Sequence, residues 1–314
     1  MGQAKIAILL ATYNGGEYLR QLLDSLWAQT ERDWQLLVSD DGSRDDTREI
    51  LAEYQRREPD RLRLLEHDRP TGSSKDNFLY LTSFAGEYPY VMYCDQDDVW
   101  KPDKIEKTLG KMRETEAGDP AVPCLVHTDL AVVDENLRPL HDSFIYSSML
   151  DPGRDQLNHL LIQNVVTGCT VMINHALWEL AMLPADASKI VMHDMWLALL
   201  AACRGRIGFL PQATIFYRQH GDNVVGAKDV RSLRYIASFA GRLKQNSRSL
   251  RRCQAQGLEL CRVLGDSLTD GQRQLLLAWG HIRQKNKLAR WATLKRHHIW
   301  LLGAKRRLAE LILI

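Results

Sequence analysis

Three carboxylates fall within four residues in Asp95-Gln96-Asp97-Asp98, directly after a short apolar segment over 90–94. Acids clustered at a strand end suit a hard divalent cation. Mg²⁺ is held by one or two protein carboxylates while a substrate's phosphates and water complete its shell, and Mn²⁺ takes the same oxygen donors. That arrangement serves chemistry on a nucleoside diphosphate. The same acids also fit a solvated turn that caps the helix expected to start near Pro102, so the cluster alone leaves both readings open. Two more polar turns share its setting. Thr12-Tyr13-Asn14-Gly15-Gly16 follows an apolar run over 6–11, and Asp40-Asp41-Gly42-Ser43 follows another over 34–38. Each is an ordinary turn composition. In open α/β sheets, however, ligands bind outside the carboxyl ends of the strands, and here three such ends carry polar loops.

The elements that must position these loops alternate strand and helix. Residues 6–11 form a continuous apolar run, as expected of a strand buried on both faces. Leu19, Leu22, Leu23, Leu26 and Trp27 follow at helical spacing. A second strand over 34–38 leads to a helix over 47–57, with Ile50, Leu51 and Tyr54 on one side. A third strand over 61–66, a helix marked by Phe78, Leu79, Leu81 and Phe84, and a fourth strand over 90–94 complete the pattern. The fold class is α/β, Rossmann-like, with a mostly parallel central sheet. Beyond it, 125–133 and 168–174 read as strands, 175–183 and 194–202 as helices, and 208–210 and 214–217 as short strands leading into Arg218-Gln219-His220-Gly221-Asp222-Asn223.

The chain has 314 residues, 45% hydrophobic and 25% charged, enough to bury a sizeable core. Its net charge of +2 conceals an asymmetry. From Lys228 onward there are 19 Lys+Arg against 5 Asp+Glu, and before it 22 against 34. Two parts are therefore expected, a catalytic domain over 1–227 and a basic helical region over 228–314. Six cysteines show no paired zinc spacing, and residues 1–10 carry no secretory pattern, so a reducing, cytoplasmic setting is expected. The strongest apolar candidate for a membrane span, 191–203, is broken by His193 and Asp194. The last expected helix, over 299–314, places Leu301, Leu308, Leu311 and Ile312 along one side with Lys305, Arg306 and Arg307 between. Such a helix fits peripheral contact with an anionic membrane, or equally a helical appendage with a solvated basic face.

Ala11-Thr12-Tyr13-Asn14, Ser39-Asp40-Asp41-Gly42-Ser43 and Asp95-Gln96-Asp97-Asp98, each after its strand, together resemble family 2 glycosyltransferases of the GT-A fold. Asp-Gln-Asp-Asp-Val-Trp at 95–100 and Tyr-Arg-x-His-Gly-x-Asn at 217–223 are similar to the bacterial rhamnosyltransferase-like subgroup. The resemblance covers roughly residues 4–225 and leaves the basic tail aside. It implies that Thr12, Tyr13 and Asn14 line a nucleotide pocket, that Asp40 accepts from a pyrimidine with Asp41 beside it, and that Thr71, Gly72 and Asn77 complete the base and ribose contacts. By the same token Asp95 approaches the ribose, Gln96 belongs to the nucleotide-sugar site, and Asp97 ligates a divalent metal, Mg²⁺ or Mn²⁺. His220 is a further metal ligand or diphosphate contact, and Arg218 a bidentate phosphate donor. Inverting transfer needs a general base for the acceptor hydroxyl. The family keeps an acid pair at a helix start; here it is His193-Asp194, which makes Asp194 the base and leaves the role of His193 open. His127 and Asp129 are placed near the donor sugar or acceptor, and Thr167-Gly168-Cys169 at a turn where backbone approaches the acceptor.

The expected reaction is metal-dependent transfer of one sugar from a nucleotide-sugar donor to a lipid-linked glycan acceptor. The donor is dTDP-rhamnose or, in the alternative, a UDP-hexose. The Gln-x-x-Arg-Trp signature of processive synthases is absent. A scaffold that lost the chemistry would lack Asp95, Asp97 or Asp194, and all three are present. Nucleic-acid binding by the basic tail lacks a recognition motif, and the Gly-rich, Lys-containing loop that a nucleotidyltransferase needs does not follow the first strand.

Overall fold

Residues 6–10 are apolar without interruption, and all five are fully buried because both faces of the sheet they enter are covered. They form most of β1 (Ile6–Thr12) in a computed structural model that describes residues 5–219 and 243–314. Next come α1 (Gly16–Trp27), β2 (Trp34–Asp40), α2 (Thr47–Arg57), β3 (Leu62–Leu65), α3 (Ser74–Ser83), β4 (Tyr90–Asp95), β5 (Val99–Trp100) and α4 (Lys104–Glu116). The chain continues through β6 (Cys124–Val133), β7 (Pro139–His141), α5 (Phe144–Ser147), α6 (Leu157–Leu160), β8 (Met172–Asn174), α7 (His175–Ala181), α8 (His193–Arg204) and β9 (Arg206–Arg218). Four C-terminal helices follow: α9 (Leu243–Leu264), α10 (Asp270–Gly280), α11 (Lys287–His297) and α12 (Ala304–Leu313).

The sheet order is β3-β2-β1-β4-β8-β6-β9-β5, with β7 paired to β6. The half from β3 to β4 is parallel throughout. Beyond it the sheet is mixed: β8 runs antiparallel to β4 and β6, β5 antiparallel to β9, and β6 parallel to β9. Register sets the site. Thr12 lies opposite Asp40 on one side of β1, and Ala11 opposite Asp95 on the other, so the loops leaving β2, β1 and β4 emerge side by side.

Two expected elements differ. Residues 168–174 are half strand, because Gly168–Thr170 turns as a 3-10 helix before β8 begins. The two short strands expected at 208–210 and 214–217 are one strand, β9, which passes through Pro211 with register shifts against β6.

The described chain divides into two units interleaved in sequence. The first takes residues 5–144, 167–180 and 206–219; the second takes 145–166, 181–205 and the C-terminal helices. The chain thus crosses between units four times before the expected boundary at 227/228, which lies outside the described residues. Hydrogen bonds explain why the two internal segments join the tail. Buried Glu259 on α9 accepts from Asp186 N (2.8 Å) and Lys189 Nζ (3.0 Å), and Gln256 accepts from Val191 N (2.7 Å). Asn158 Nδ2 donates to His298 O (3.0 Å), and Leu302 N donates to Gln163 Oε1 (3.0 Å). No helix among the described residues is long and apolar enough to cross a membrane.

Candidate active site

Loops at three adjacent strand ends are laced together by their own polar side chains. Thr12 Oγ1 donates to Asp40 Oδ1 (3.0 Å), Asn14 N to Ser43 Oγ (2.8 Å), Gly15 N to Thr47 Oγ1 (2.8 Å) and Gly16 N to Asp45 Oδ2 (2.9 Å). Asn14 sits at φ 47°, a left-handed conformation that asparagine tolerates, and its Oδ1 accepts from Arg44 N (2.8 Å). On the other side Gln96 holds the main chain of Tyr13 with both amide atoms: Oε1 accepts from Tyr13 N (2.8 Å) and Nε2 donates to Tyr13 O (3.0 Å). This clamp needs Gly15, where a Cβ would lie 2.6 Å from Gln96 Cδ. The Tyr13 side chain itself stays 56% exposed.

Asp40 and Asp41 both anchor loops. Asp40 accepts from Ser43 N and Oγ, Gly42 N, Thr12 Oγ1 and Arg48 Nε. Burial pulls its carboxyl upward, but the bonds from Ser43 and Arg48 outweigh it and hold the group below the usual carboxylate range. Buried Asp41 accepts from Thr71 N and, at 2.8 Å, from Gly72 N, fixing the loop before α3. Asn77, expected at the base or ribose, is buried; its Nδ2 donates to Ser39 O (3.0 Å) and its Oδ1 contacts His67 Nε2 (3.2 Å).

On the β4 loop, Asp95, Gln96 and Asp97 are half-buried and Asp98 is fully buried. Ligand atoms of Asp95, Asp98 and Cys169 lie within 4.8 Å of one another. Burial, with Asp97 and Asp95 adding repulsion, raises Asp98 well above the usual carboxylate range, and burial likewise raises the Cys169 thiol. Beside them the amine of Lys104 is buried without a hydrogen-bond partner among the described residues, 4.5 Å from the Trp100 ring centroid. Burial draws it down to about 8. Neither Lys104 nor the Cys169 thiol is expected from the sequence as part of this cluster, because the side chains meet only through the packing of β4, α4 and the 168–170 turn.

Arg218, expected as a phosphate donor, has its guanidinium buried over the Tyr18 ring (4.4 Å), where it donates to Asp97 O (2.9 Å), Gln21 Oε1 (2.6 Å) and Glu135 O, while its backbone N–H donates to Asp98 Oδ1 (3.3 Å). It holds the backbone that presents the acids. His127, expected near the donor sugar or acceptor, lies within β6, buried against Phe209 (4.9 Å), and burial draws its imidazole down to about 4. Asp129 sits where β6 slips register against β9, its Oδ1 accepting from Leu130 N (2.8 Å). His220 lies outside the described residues.

Asp194 belongs to the second unit, in the first turn of α8, half-buried, with Oδ1 accepting from Met195 N (2.6 Å). His193 before it is buried, and burial lowers its imidazole to about 3, so it is neutral at ordinary pH and offers no cationic partner.

Among curated proteins, the dTDP-rhamnosyl transferase RfbG of Shigella flexneri is 28% identical over 227 residues, 69% of this chain and 74% of that protein. The putative teichuronic acid biosynthesis glycosyltransferase TuaG of Bacillus subtilis is 28% identical over 170 residues, 54% of this chain and 62% of its own. Among solved structures, S. aureus TarS 1-349 in complex with UDP-GlcNAc superposes with a TM-score of 0.59 at 17% identity, covering 89% of this chain and 72% of TarS. The mannosyltransferase PcManGT of Pyrobaculum calidifontis, in complex with GDP-Man and Mn²⁺, gives 0.54 at 16% identity over 99% of this chain and 79% of its own. The shared fold is GT-A. The sequence profile of "Glycosyl transferase family 2" matches residues 7–181, more than half of the chain, and the protein belongs to that family.

Proposed function

We propose that the protein is an inverting, non-processive glycosyltransferase that moves one L-rhamnosyl unit from dTDP-rhamnose onto a growing bacterial surface polysaccharide. The acceptor is an O-antigen, capsule or exopolysaccharide chain on a lipid carrier, reached from the cytoplasmic side. The observation that carries this reading is the row Asp40, Thr12, Ala11, Asp95 across three adjacent strand ends, in a chain 28% identical to a dTDP-rhamnosyl transferase.

The β4 loop fits a hard divalent cation, Mg²⁺ or Mn²⁺. Asp98 Oδ2 is a buried acceptor with no hydrogen-bond partner among the described residues, and Asp95 offers a carboxylate oxygen within 4.8 Å of the Asp98 ligand atom. A hard cation prefers the carboxylate oxygens to the Cys169 sulfur beside them. Asp97 is the proposed ligand with Asp95 or Asp98, and the bound ion would offset charge on the departing diphosphate. The chain's own residues do the rest. Gln96, Asn14 and Asp41 hold the loops in one shape, exposed Tyr13 offers a surface for the nucleotide, and Arg218 keeps Asp97 and Asp98 in place. Asp194 is proposed as the base that takes the acceptor hydroxyl proton as the hydroxyl attacks the anomeric carbon opposite the leaving group.

The test is nucleoside diphosphate release by the purified protein from dTDP-, UDP- and GDP-sugars, with Mg²⁺ or Mn²⁺ and with a chelator. Chelator-sensitive release from dTDP-rhamnose supports the reading, and release confined to a UDP-hexose replaces the donor. Absence of both binding and release across the panel overturns it.

A further inference from the structure

Between Asp270 and Glu310 the chain carries ten Lys+Arg and no acidic residue. Most of these cations are turned onto the second unit's own carbonyls and side chains. Arg283 donates to Leu313 O, Arg290 to Lys285 O and Arg283 O, Arg306 to Ser148 O and Met149 O, and Arg307 to Leu301 O. Lys285 Nζ donates to Thr293 Oγ1.

Three cations of helix α11, Lys287, Lys295 and Arg296, are the exception. The helix's buried side is Thr293 and Leu294. Its outward side is Leu288, Trp291, Ala292 and Lys295 at i, i+3, i+4 and i+7, flanked by Lys287 and Arg296. Leu288 is 75% exposed and Trp291 37%. None of Lys287, Lys295 and Arg296 makes a side-chain hydrogen bond or ion pair among the described residues; Lys287 only approaches the Trp291 ring, at 5.7 Å. Trp291 is set in place by its own Nε1–H, which donates to Leu311 O (3.2 Å).

We infer that this face of α11 docks the protein on an anionic lipid surface, with Leu288 and Trp291 entering the headgroup boundary and Lys287, Lys295 and Arg296 meeting lipid phosphates. Charge complementarity selects this occupant. An apolar stripe with an indole at its edge and basic flanks is the composition of an interfacial helix. A second copy on the same face would bring two sets of these three cations together across a two-fold axis, where like charges repel. The surface differs from the one expected over 299–314, where Glu310 is buried and Leu301 and Leu311 are half-buried. The inference does not depend on the donor or the chemistry.

The experiment is co-sedimentation of the full chain with vesicles of phosphatidylcholine alone and with one quarter phosphatidylglycerol, at low and high salt. Calorimetric nucleotide binding serves as the check on folding. Binding is expected to the anionic vesicles only, and to weaken with salt. It should drop about tenfold in Leu288→Glu, and about fivefold per charge in Lys287→Glu, Lys295→Glu and Arg296→Glu, with nucleotide affinity unchanged. Equal binding to both vesicles, or binding unaffected by these substitutions, overturns the inference. So does retention on DNA that matches retention on vesicles and ignores Leu288→Glu, or a dimer in solution that Leu288→Glu dissociates. Nucleotide binding reports separately on the transferase reading.

Discussion

Gly15→Ala tests whether the loops after β1 and β4 are mutually fitted. Gly15 has φ −103°, so alanine brings no backbone strain, and the cost must come from contacts. A Cβ there would stand 2.6 Å from Gln96 Cδ, closer than real Cβ atoms come, and Gln96 is the part able to move. Moving it breaks both bonds to the Tyr13 main chain. At about 1 kcal/mol for each bond the loss is about 2 kcal/mol. Replacing glycine by alanine ahead of α1 adds about 0.5 kcal/mol, since alanine is a poor residue at that position. Gly15→Ala is therefore expected to cost about 2.5 kcal/mol and Gln96→Ala about 2 kcal/mol, because both remove the same clamp. The double variant should cost about 2.5 kcal/mol, giving a coupling of about 2 kcal/mol. Urea unfolding of the four proteins measures the cycle, and calorimetry with nucleoside diphosphate should show weakened binding in all three variants. Additive costs, or a Gly15→Ala variant as stable as the parent, would refute the reasoning.

Asp97→Asn is expected to lower chelator-sensitive donor turnover at least about a hundredfold with an unchanged circular dichroism spectrum, and parental turnover would remove Asp97 from the ion site. Asp194→Asn should bind donor normally by calorimetry yet lose transfer; retained transfer would require a different base. Burial lowers His127 to about 4 and His193 to about 3, so each contributes stability that is complete above the ordinary histidine value and is lost as pH falls through the folded value, because the unfolded chain takes up protons that the folded one refuses. From about pH 6.5 to 5 this amounts to about 2 kcal/mol per histidine, so His127→Leu should flatten the stability profile over that range; an identical slope would show that His127 is not held neutral. Arg218→Lys cannot span Asp97 O, Gln21 Oε1 and Glu135 O together and is expected to destabilise the first unit by about 3 kcal/mol on thermal unfolding, with an unshifted transition counting against its role.

What was legible in the sequence followed from local physics. Strands buried on both faces read as unbroken apolar runs, so β1, β2 and β4 and the polar loops behind them could be placed within a residue or two, and α2 spans the expected 47–57. The elements that escaped are those whose reason lies elsewhere in the chain. β5 is two residues long and exists because β9 pairs with it more than a hundred residues later. Pro211 in β9 reads as a break, yet the strand continues past it with a shift in register.

The site divides along the same line. Motif position identified which residues gather at the strand ends, but whether each meets a ligand or a neighbouring loop depends on groups far away in sequence. Asn14, Asp40, Asp41, Gln96 and Arg218 were all expected at the nucleotide, yet each is engaged by a group in a neighbouring loop or strand. Arg218 is the clearest case: its partners include Tyr18 and Gln21 on α1, near the opposite end of the catalytic sequence. Exposed Tyr13 and half-buried Asp95 and Asp97 therefore stand on a frame already shaped by those bonds. A donor that meets such a frame has little loop ordering to impose, so substitutions in the frame should act on affinity through loop shape, while those at Asp97 act on the chemistry itself.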